Sequence, residues 1–413
     1  MNQIADLHIH SKYSRACSRD LDLPHIDDWC RRKGITIVGT GDFTHPRWFS
    51  EIKNQLVADR PGLYKLKGSA SGVRFMMTTE ISCIYTQGGK CRRLHLCVFA
   101  SSMEAAEKIT AVLNKRGFNL KSDGRPIIGL SAKNLLDLVL NADEKSLVIP
   151  AHAWTPWFSI FGSKSGFDSI EECFEDLSPH IYAIETGLSS DPPMNWRWSA
   201  LDKITLISNS DCHSPANLGR EANLLKIDEK QLSYAEISRI IREQDRKKFL
   251  ATLEFFPEEG KYHIDGHANC HYSATPDKAK KNKNLCPVCG KPLTLGVLHR
   301  VDDLADREKI EPEKHVPYKH LIPLQELIAD SFGVKKTSKK VMENYLNLTN
   351  KQPEFTILLD LAEKQLVDLA GADIANNIIK MRNGQVEINP GYDGVFGVIN
   401  VKKNKKPIQA NLL

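Results

Sequence analysis

From the first residue to about residue 255, short runs of β-branched and other apolar residues alternate with amphipathic stretches, the rhythm of a parallel α/β domain. Seven of the runs read as strands, over 4–10, 35–42, 74–81, 93–99, 147–152, 181–186 and 205–211. Apolar positions at helical spacing predict helices over 23–33, 103–115, 131–140, 169–174 and 234–243, the first with Pro24 in its opening turn. Seven strands with helices between them suggest a barrel. The stretches 155–167 and 189–198 predict long loops at strand exits, where function is commonly carried.

Beyond residue 257 the pattern changes. The segment 258–310 holds histidines, three cysteines and the basic run Lys278, Lys280, Lys281 and Lys283, with too few apolar positions for a core of its own. From 311 the pattern is helical, with Leu324, Leu327 and Ile328, then Phe355, Leu358, Leu359 and Ala362, striping helix faces. Gly384, Gly391, Gly394 and Gly397 break 386–401 into turns and short strands, followed by Lys402, Lys403, Lys405 and Lys406. The expected organisation is an α/β fold in three parts: a seven-stranded barrel over 1–257, a small zinc-binding module over 258–310 and a mostly helical C-terminal domain over 311–413.

At 413 residues the chain exceeds what one ordinary core supports. No apolar run approaches the ~20 residues needed to cross a bilayer. With Asp6, His8 and His10 among the first ten residues, the start does not read as a signal peptide. No membrane partner is expected, and the expected place is the cytoplasm. The ten cysteines are scattered, unlike a disulfide framework, and the one tight pair, Cys286 and Cys289, reads as metal-binding in a reducing compartment. Cys17, Cys83 and Cys97 are expected to be structural. A net charge of +5 does not by itself announce a nucleic-acid partner.

The candidate chemistry sits at the strands. His8 and His10 lie two residues apart, so a strand presents both imidazoles on one face. The other predicted strands contribute Asp42 with His45 three residues on, Glu80, His95, His152, Glu185, and Asp211 with His213. Singly, each has a bland reading: a satisfied core histidine, or a carboxylate in a salt bridge at the barrel mouth. Together, on seven successive strands whose ends share one face, they point to a multinuclear metal site. Mixed nitrogen and oxygen donors suit Zn²⁺, Mn²⁺ or Fe²⁺, and carboxylates can bridge two ions. Separately, His267 and Cys270, followed by Cys286 and Cys289, match a closed tetrahedral structural zinc, with His271 and His299 as competitors for the imidazole place.

The stretch Asp6-Leu7-His8-Ile9-His10-Ser11, with Thr40-Gly41-Asp42, Thr79-Glu80, His95, His152 and Ser210-Asp211-Cys212-His213, resembles the motifs of the PHP (polymerase and histidinol phosphatase) family. That resemblance implies a distorted (β/α)7 barrel hydrolysing phosphoesters with two or three divalent metals, here Zn, Mn or Mg. Carried over by motif, His8, His10, Glu80, His95, His152, Asp211 and His213 take ligand positions. Asp42 stands where many members have histidine, so the ligand there is Asp42 or His45. The stretch Ser14-Arg15-Ala16-Cys17 offers no ligand after the first motif, which leaves one of three ions weakly held or absent. The opening Ser11 to Arg15, the segment 40–49, the zinc knuckle running on to Val301, and Pro390-Gly391-Tyr392-Asp393-Gly394-Val395-Phe396-Gly397 further resemble the endonuclease Q family.

This second resemblance implies a DNA repair endonuclease. It would hydrolyse the phosphodiester 5′ to deaminated bases (uracil, hypoxanthine, xanthine) or abasic sites through water activated by several metals, leaving 3′-hydroxyl and 5′-phosphate ends. The partner is damaged DNA, double- or single-stranded, with a replication or repair protein as a further candidate. A base lifted from the stack needs a pocket, for which the loop residues Trp154, Trp157, Phe158, Ser189, Asp191, Asn195 and Trp196 are candidates; Arg15, Arg47 and the module's lysines are candidate phosphate contacts. A phosphatase for a small phosphoester and a non-catalytic DNA-binding scaffold are the competing readings.

Overall fold

The predicted strand segments come together around one ring in a computed structural model that describes residues 1–401. Asn2–Asp6 pairs in parallel with Ile37–Gly39, which pairs in parallel with Arg74–Met76. After Met77 the chain runs straight on into Thr78–Gln87, and that strand turns back in a long hairpin as Lys90–Phe99. Lys90–Phe99 pairs antiparallel with Leu147–Pro150, and Ala153 N–H donates to Glu185 O to bring in Ala183–Glu185. Ala183–Glu185 lies parallel to Thr205–Ile207. The ring closes where Asp211 N–H donates to His8 O at 2.9 Å and His10 N–H to Cys212 O at 3.3 Å.

One member breaks the parallel rule. Lys90–Phe99 is antiparallel to both neighbours, so His95 reaches the shared face from the middle of a strand and not from a C-terminal end. Outside the ring, Ala222–Lys226 pairs with Asn2–Asp6, Phe249–Glu254 with Ala222–Lys226, and Tyr318–His320 with Phe249–Glu254. The chain therefore returns to the barrel's sheet beyond residue 311, and the α-helices of the C-terminal part begin only after His320.

Alternate strand residues feed two cores. Ile37, Phe99, Ile149, Ala183 and Ile207 pack with Ile237 and Ile240 of the helix Tyr234–Arg242, while their neighbours Val38, Val98, Val148 and Ile184 join the larger cluster with the surrounding helices. Leu23–Lys33 forms where local chemistry dictates: the Asp22 carboxylate caps His25 N–H, Pro24 sits in the first turn, and Gly34 ends the helix at φ 85°. A helix unmarked by the apolar pattern, Pro46–Gln55, starts on the ring of His45 as its N-cap. The stripe from Phe355 to Ala362 is broken, because Glu354–Leu359 stops and Ala362 caps the next helix, Glu363–Ala370. Lys402, Lys403, Lys405 and Lys406 lie outside the described residues. No helix among the described residues is long and apolar enough to cross a membrane.

The C-terminal helices are joined to the barrel through Glu354. Its Oε2 meets Lys33 Nζ at 2.8 Å and accepts from Tyr345 Oη at 2.7 Å, and its Oε1 accepts from Leu324 N–H at 3.0 Å. Both charged side chains are buried. Glu354→Ala is expected to cost about 3–5 kcal/mol, because it strands the Lys33 ammonium without its partner. The check is the urea midpoint at unchanged slope, with Lys33→Met in the same chain recovering part of the loss.

Candidate metal centres

His8 and His10 follow directly on the first strand, and Leu7 and Ile9 beside them are buried in apolar clusters, so both imidazoles turn to one polar face. Three other contributors leave their strands with left-handed backbone: Asp42 at φ 50°, His152 at φ 30° and Asp211 at φ 45°. Such strain in non-glycine residues persists only where the surroundings enforce it, typically at functional sites. At His152 the enforcement is close: a Cβ on Gly187 would lie 2.6 Å from the His152 Cβ.

At the centre is Glu80, fully buried, with its two oxygens facing different ways. Oε2 lies 3.2 Å from His10 Nε2 and 3.6 Å from His8 Nε2, while Asp211 Oδ1 stands 3.0 and 3.7 Å from the same two nitrogens. Oε1 lies 2.7 Å from His95 Nδ1 and 3.2 Å from His152 Nε2, and those two nitrogens are 3.2 Å apart. The result is two donor sets sharing one carboxylate: His8, His10, Asp211 and Glu80 on one side, His95, His152 and Glu80 on the other. His8 Nε2, His10 Nε2 and Asp211 Oδ1 are buried and make no hydrogen bond. Buried polar atoms without partners are costly, and three converging in a nitrogen and oxygen set fit a divalent cation.

Behind these donors stand groups that orient them. Glu185 Oε2 is 2.9 Å from His8 Nδ1 and accepts from the His152 backbone N–H at 2.9 Å, while Oε1 accepts from Asn209 at 3.0 Å. Asp42 Oδ1 is 3.1 Å from His10 Nδ1, and its Oδ2 accepts from Ser11 N–H, Ser11 Oγ and Ser14 Oγ at 2.7 to 2.8 Å. Both carboxylates therefore take the Nδ1–H of a histidine and aim its Nε2 inward. The structure places Asp42 one layer behind His10, outside both donor sets. His45 is further away in role: Nδ1 accepts from Trp48 N–H and Nε2 donates to Lys121 O, which occupies both ring nitrogens. His213 also stands outside the two sets, with Nδ1 bonded to Asp211 O at 2.9 Å and its ring 4.8 Å from that of His10.

The electrostatics match. Burial pushes the Glu80 carboxyl up, yet the nearby histidines and Arg125 hold it well below the usual carboxylate range. Burial works against charging His10, and Asp42, Asp211 and Glu80 reverse that, raising it well above the ordinary imidazole value. His95 is pushed down to about 4, by burial first, and so stays neutral.

Arg125, which no motif had marked, reaches Glu80 Oε2 at 3.1 Å and is a quarter exposed at the mouth. Its loop fits tightly: Gly124 lies so near Ser14 and Asp42 that a Cβ would come within 2.4 Å of their side-chain oxygens. Only the glycine hinted at this from sequence, and its meaning depends on the partner it meets.

In the second cluster the donors of His267, Cys270, Cys286 and Cys289 converge, with Cys289 Sγ 3.5 Å from His267 Nδ1. Against the upward push of burial, the N–H groups of Cys289 and Val288 bring the Cys286 thiol down to about 7, which favours a ligating thiolate. His299 is drawn elsewhere, 2.6 Å from Asp265. The module's own apolar cluster is only Ala274, Ala279, Cys286 and Leu293. Of its lysines, Lys280 is paired with Asp302 and Asp303.

The loop residues divide. Trp154 Nε1 donates to Asn195 Oδ1 within the core, and Trp196 stacks on His315, so these three are occupied in packing. Asp191 caps Met194 N–H and pairs with His320 at 3.2 Å. It also lines a cavity of about 300 Å³ with Glu258 and His263. Ser189 is half-buried, Phe158 packs on His95 at 4.8 Å, and Trp157 is exposed. Arg15 pairs with Asp123, and Arg47 is exposed.

No protein-family model matches the chain. It is 32% identical over 262 residues to an uncharacterized protein of Methanocaldococcus jannaschii, a match covering 62% of this chain but only 32% of that protein's length. It is 29% identical to the uncharacterized protein YqxK of Bacillus subtilis, over 96% of this chain and 98% of that one. Among solved structures, the lesion-specific endonuclease PfuEndoQ from Pyrococcus furiosus superposes with a TM-score of 0.85 at 29% identity, over 97% of this chain and 96% of that one. An endonuclease Q bound to a 27-mer duplex substrate with an abasic lesion at the active site gives 0.84 at 29% identity, over 98% and 97% of the two chains. In fold, over nearly its whole length, the chain is similar to these two endonuclease Q structures.

Proposed function

We propose that this chain is a DNA repair endonuclease acting in the cytoplasm, at the nucleoid, and cutting the phosphodiester 5′ to deaminated bases or abasic sites. The observation that carries the reading is the extent of the likeness: it takes in the zinc module and the C-terminal helices as well as the barrel, which a phosphatase for small phosphoesters would not need. The buried donor sets supply the chemistry such an enzyme requires.

Two divalent ions, one held by His8, His10, Asp211 and Glu80 Oε2 and the other by His95, His152 and Glu80 Oε1, would supply an acidified water and neutralise charge on the phosphodiester. The protein's own groups do the rest. Glu185 and Asp42 hold the rings of His8 and His10 in the tautomer that turns Nε2 inward. Arg125 offers a guanidinium to a non-bridging phosphate oxygen, where charge builds as water adds to phosphorus. The bond from phosphorus to the 3′ oxygen breaks, that oxygen takes a proton, and the phosphate, now carrying the oxygen of the water, stays on the 5′ oxygen of the lesion nucleotide. His213 presents its outer ring edge to the substrate. His267, Cys270, Cys286 and Cys289 hold a structural zinc, which replaces the core the module lacks.

Metal content separates these roles. Glu80→Gln is expected to lose bound barrel metal by elemental analysis, because one residue serves both donor sets. Arg125→Ala and His213→Gln are expected to keep wild-type metal and lose rate, by roughly 10²–10³ for Arg125. Cys286→Ser with Cys289→Ser is expected to remove one zinc per chain, leave the barrel metal in place and lower the thermal midpoint.

The deciding experiment is a nicking assay on a labelled duplex carrying a single uracil, beside an undamaged control, with Mg²⁺, Mn²⁺ or Zn²⁺. One cut 5′ to the uracil, absent in Asp211→Ala, is the expected result. Hydrolysis of para-nitrophenyl phosphate with no cut at uracil, hypoxanthine or abasic sites would replace the reading by a small-phosphoester phosphatase, and DNA binding without hydrolysis by a scaffold.

A further inference from the structure

One exposed feature beside the metal centres is built with care and has no part in holding metal. Phe396 is 71% exposed and Trp157 39% exposed, unusual for large aromatic rings. They are the two ends of a single ridge. Trp157 meets Tyr262 edge to face at 5.7 Å, and Lys261 Nζ lies 5.6 Å from the Tyr262 ring and 5.7 Å from that of Phe396. The three rings come from a barrel loop, the start of the zinc module and the C-terminal hairpin, segments far apart in the chain.

The inner end of the ridge lies close to the metals. Thr155 Oγ1 is 3.2 Å from His152 Nδ1 and donates to Trp157 O at 2.9 Å, so the Trp157 backbone is two hydrogen bonds from a donor histidine. The outer end is held rigidly. The glycine-rich loop carrying Phe396 is stitched to the zinc module's leading edge: Gly391 N–H donates to Glu258 O, Gly394 N–H to Lys261 O, Gly397 N–H to Glu259 O, and Ile264 N–H to Gly391 O. Asp393 adds a bond from Ala268 N–H at 2.7 Å. At Gly397 a Cβ would lie 2.0 Å from Glu258 O, so the residue after Phe396 must be glycine for the loop to approach this closely.

A phenylalanine held in water on a stitched loop forgoes the gain of burial. A lysine set between its ring and the next favours an anionic partner with flat faces over an apolar protein surface. We infer that Phe396, Lys261, Tyr262 and Trp157 form a wedge and platform for DNA: Phe396 stacks on a base beside the lesion, Lys261 meets the backbone, and the ridge leads the displaced nucleotide to the metals. Enzymes that act within a duplex must unstack it, and apolar wedges with aromatic platforms do this without reading sequence. The inference rests on the endonuclease reading.

The test compares wild type with Phe396→Ala and Phe396→Trp on uracil in duplex and in single-stranded DNA, with 2-aminopurine placed next to the uracil to report unstacking on binding. Phe396→Ala is expected to lose about tenfold to hundredfold on the duplex, the range that base stacking on an aromatic supplies. On the single strand, which needs no unstacking, it should lose clearly less than on the duplex, and it should lose the fluorescence rise, while Phe396→Trp retains duplex cutting and the rise. Equal loss on duplex and single strand, or none on either, overturns the wedge. A wild type that cuts neither DNA sinks the endonuclease reading, and the 2-aminopurine signal still decides on the ridge: a rise abolished in Phe396→Ala upholds it, and no rise in wild type overturns it.

Discussion

A carboxylate taken out of water must be given partners, and the two oxygens of Glu80 organise the barrel mouth around that requirement. The strand Thr78–Gln87 carries Glu80 to the centre, and four imidazoles from three other segments close on it from two sides. The left-handed backbone at His152 and Asp211 is the conformational cost of bringing their side chains to that point. Four carboxylates, Asp42, Glu80, Glu185 and Asp211, lie around the donor histidines, and Arg125 is the guanidinium paired to Glu80. Two divalent ions would turn that excess of negative charge into a small positive one, suited to a phosphodiester.

The same economy governs the rest of the chain. Segment 258–310 has a very small apolar cluster and a tetrad of soft donors, and it is further held by the C-terminal hairpin and by Asp302 and Asp303. The C-terminal helices, in turn, hang on a buried ion pair to the first barrel helix and on a strand that joins the barrel's own sheet. No part is an appendage. A ridge made of three segments, such as that from Trp157 to Phe396, can hold its shape only because each segment is fastened to the next.

What could be read from the sequence was whatever obeys a local rule. The seven strands follow from short apolar runs set between amphipathic stretches, Leu23–Lys33 from helical apolar spacing with Pro24 in the first turn, the pairing of His8 with His10 from the two-residue period, and the gathering of His267, Cys270, Cys286 and Cys289 from knuckle spacing. Motif resemblance carried His95, His152 and Asp211 to the same face, and resemblance along the whole chain reached the endonuclease Q type. Local rules also misled: the stripe through Phe355 and Ala362 spans two helices, because apolar spacing continues through a cap.

Only the tertiary structure decided which side of each donor faces inward and what stands behind it. Asp42 takes the Nδ1 side of His10, Glu185 that of His8, and His45 spends both nitrogens on its own helix cap and on Lys121. Arg125 lies in a loop without periodicity, and its meeting with Glu80 depends on Gly124 packing against Ser14 and Asp42. The antiparallel course of Lys90–Phe99 likewise comes from a hairpin, which alternation cannot distinguish from a crossover. Apolar runs and caps are set by neighbours in the chain, so the sequence by itself marked the strand segments of the ring, but not Ala222–Lys226, Phe249–Glu254 or Tyr318–His320 outside it. Which polar groups share one buried volume is set by ring closure, a contact between residues some two hundred positions apart, and that was decided by the fold alone.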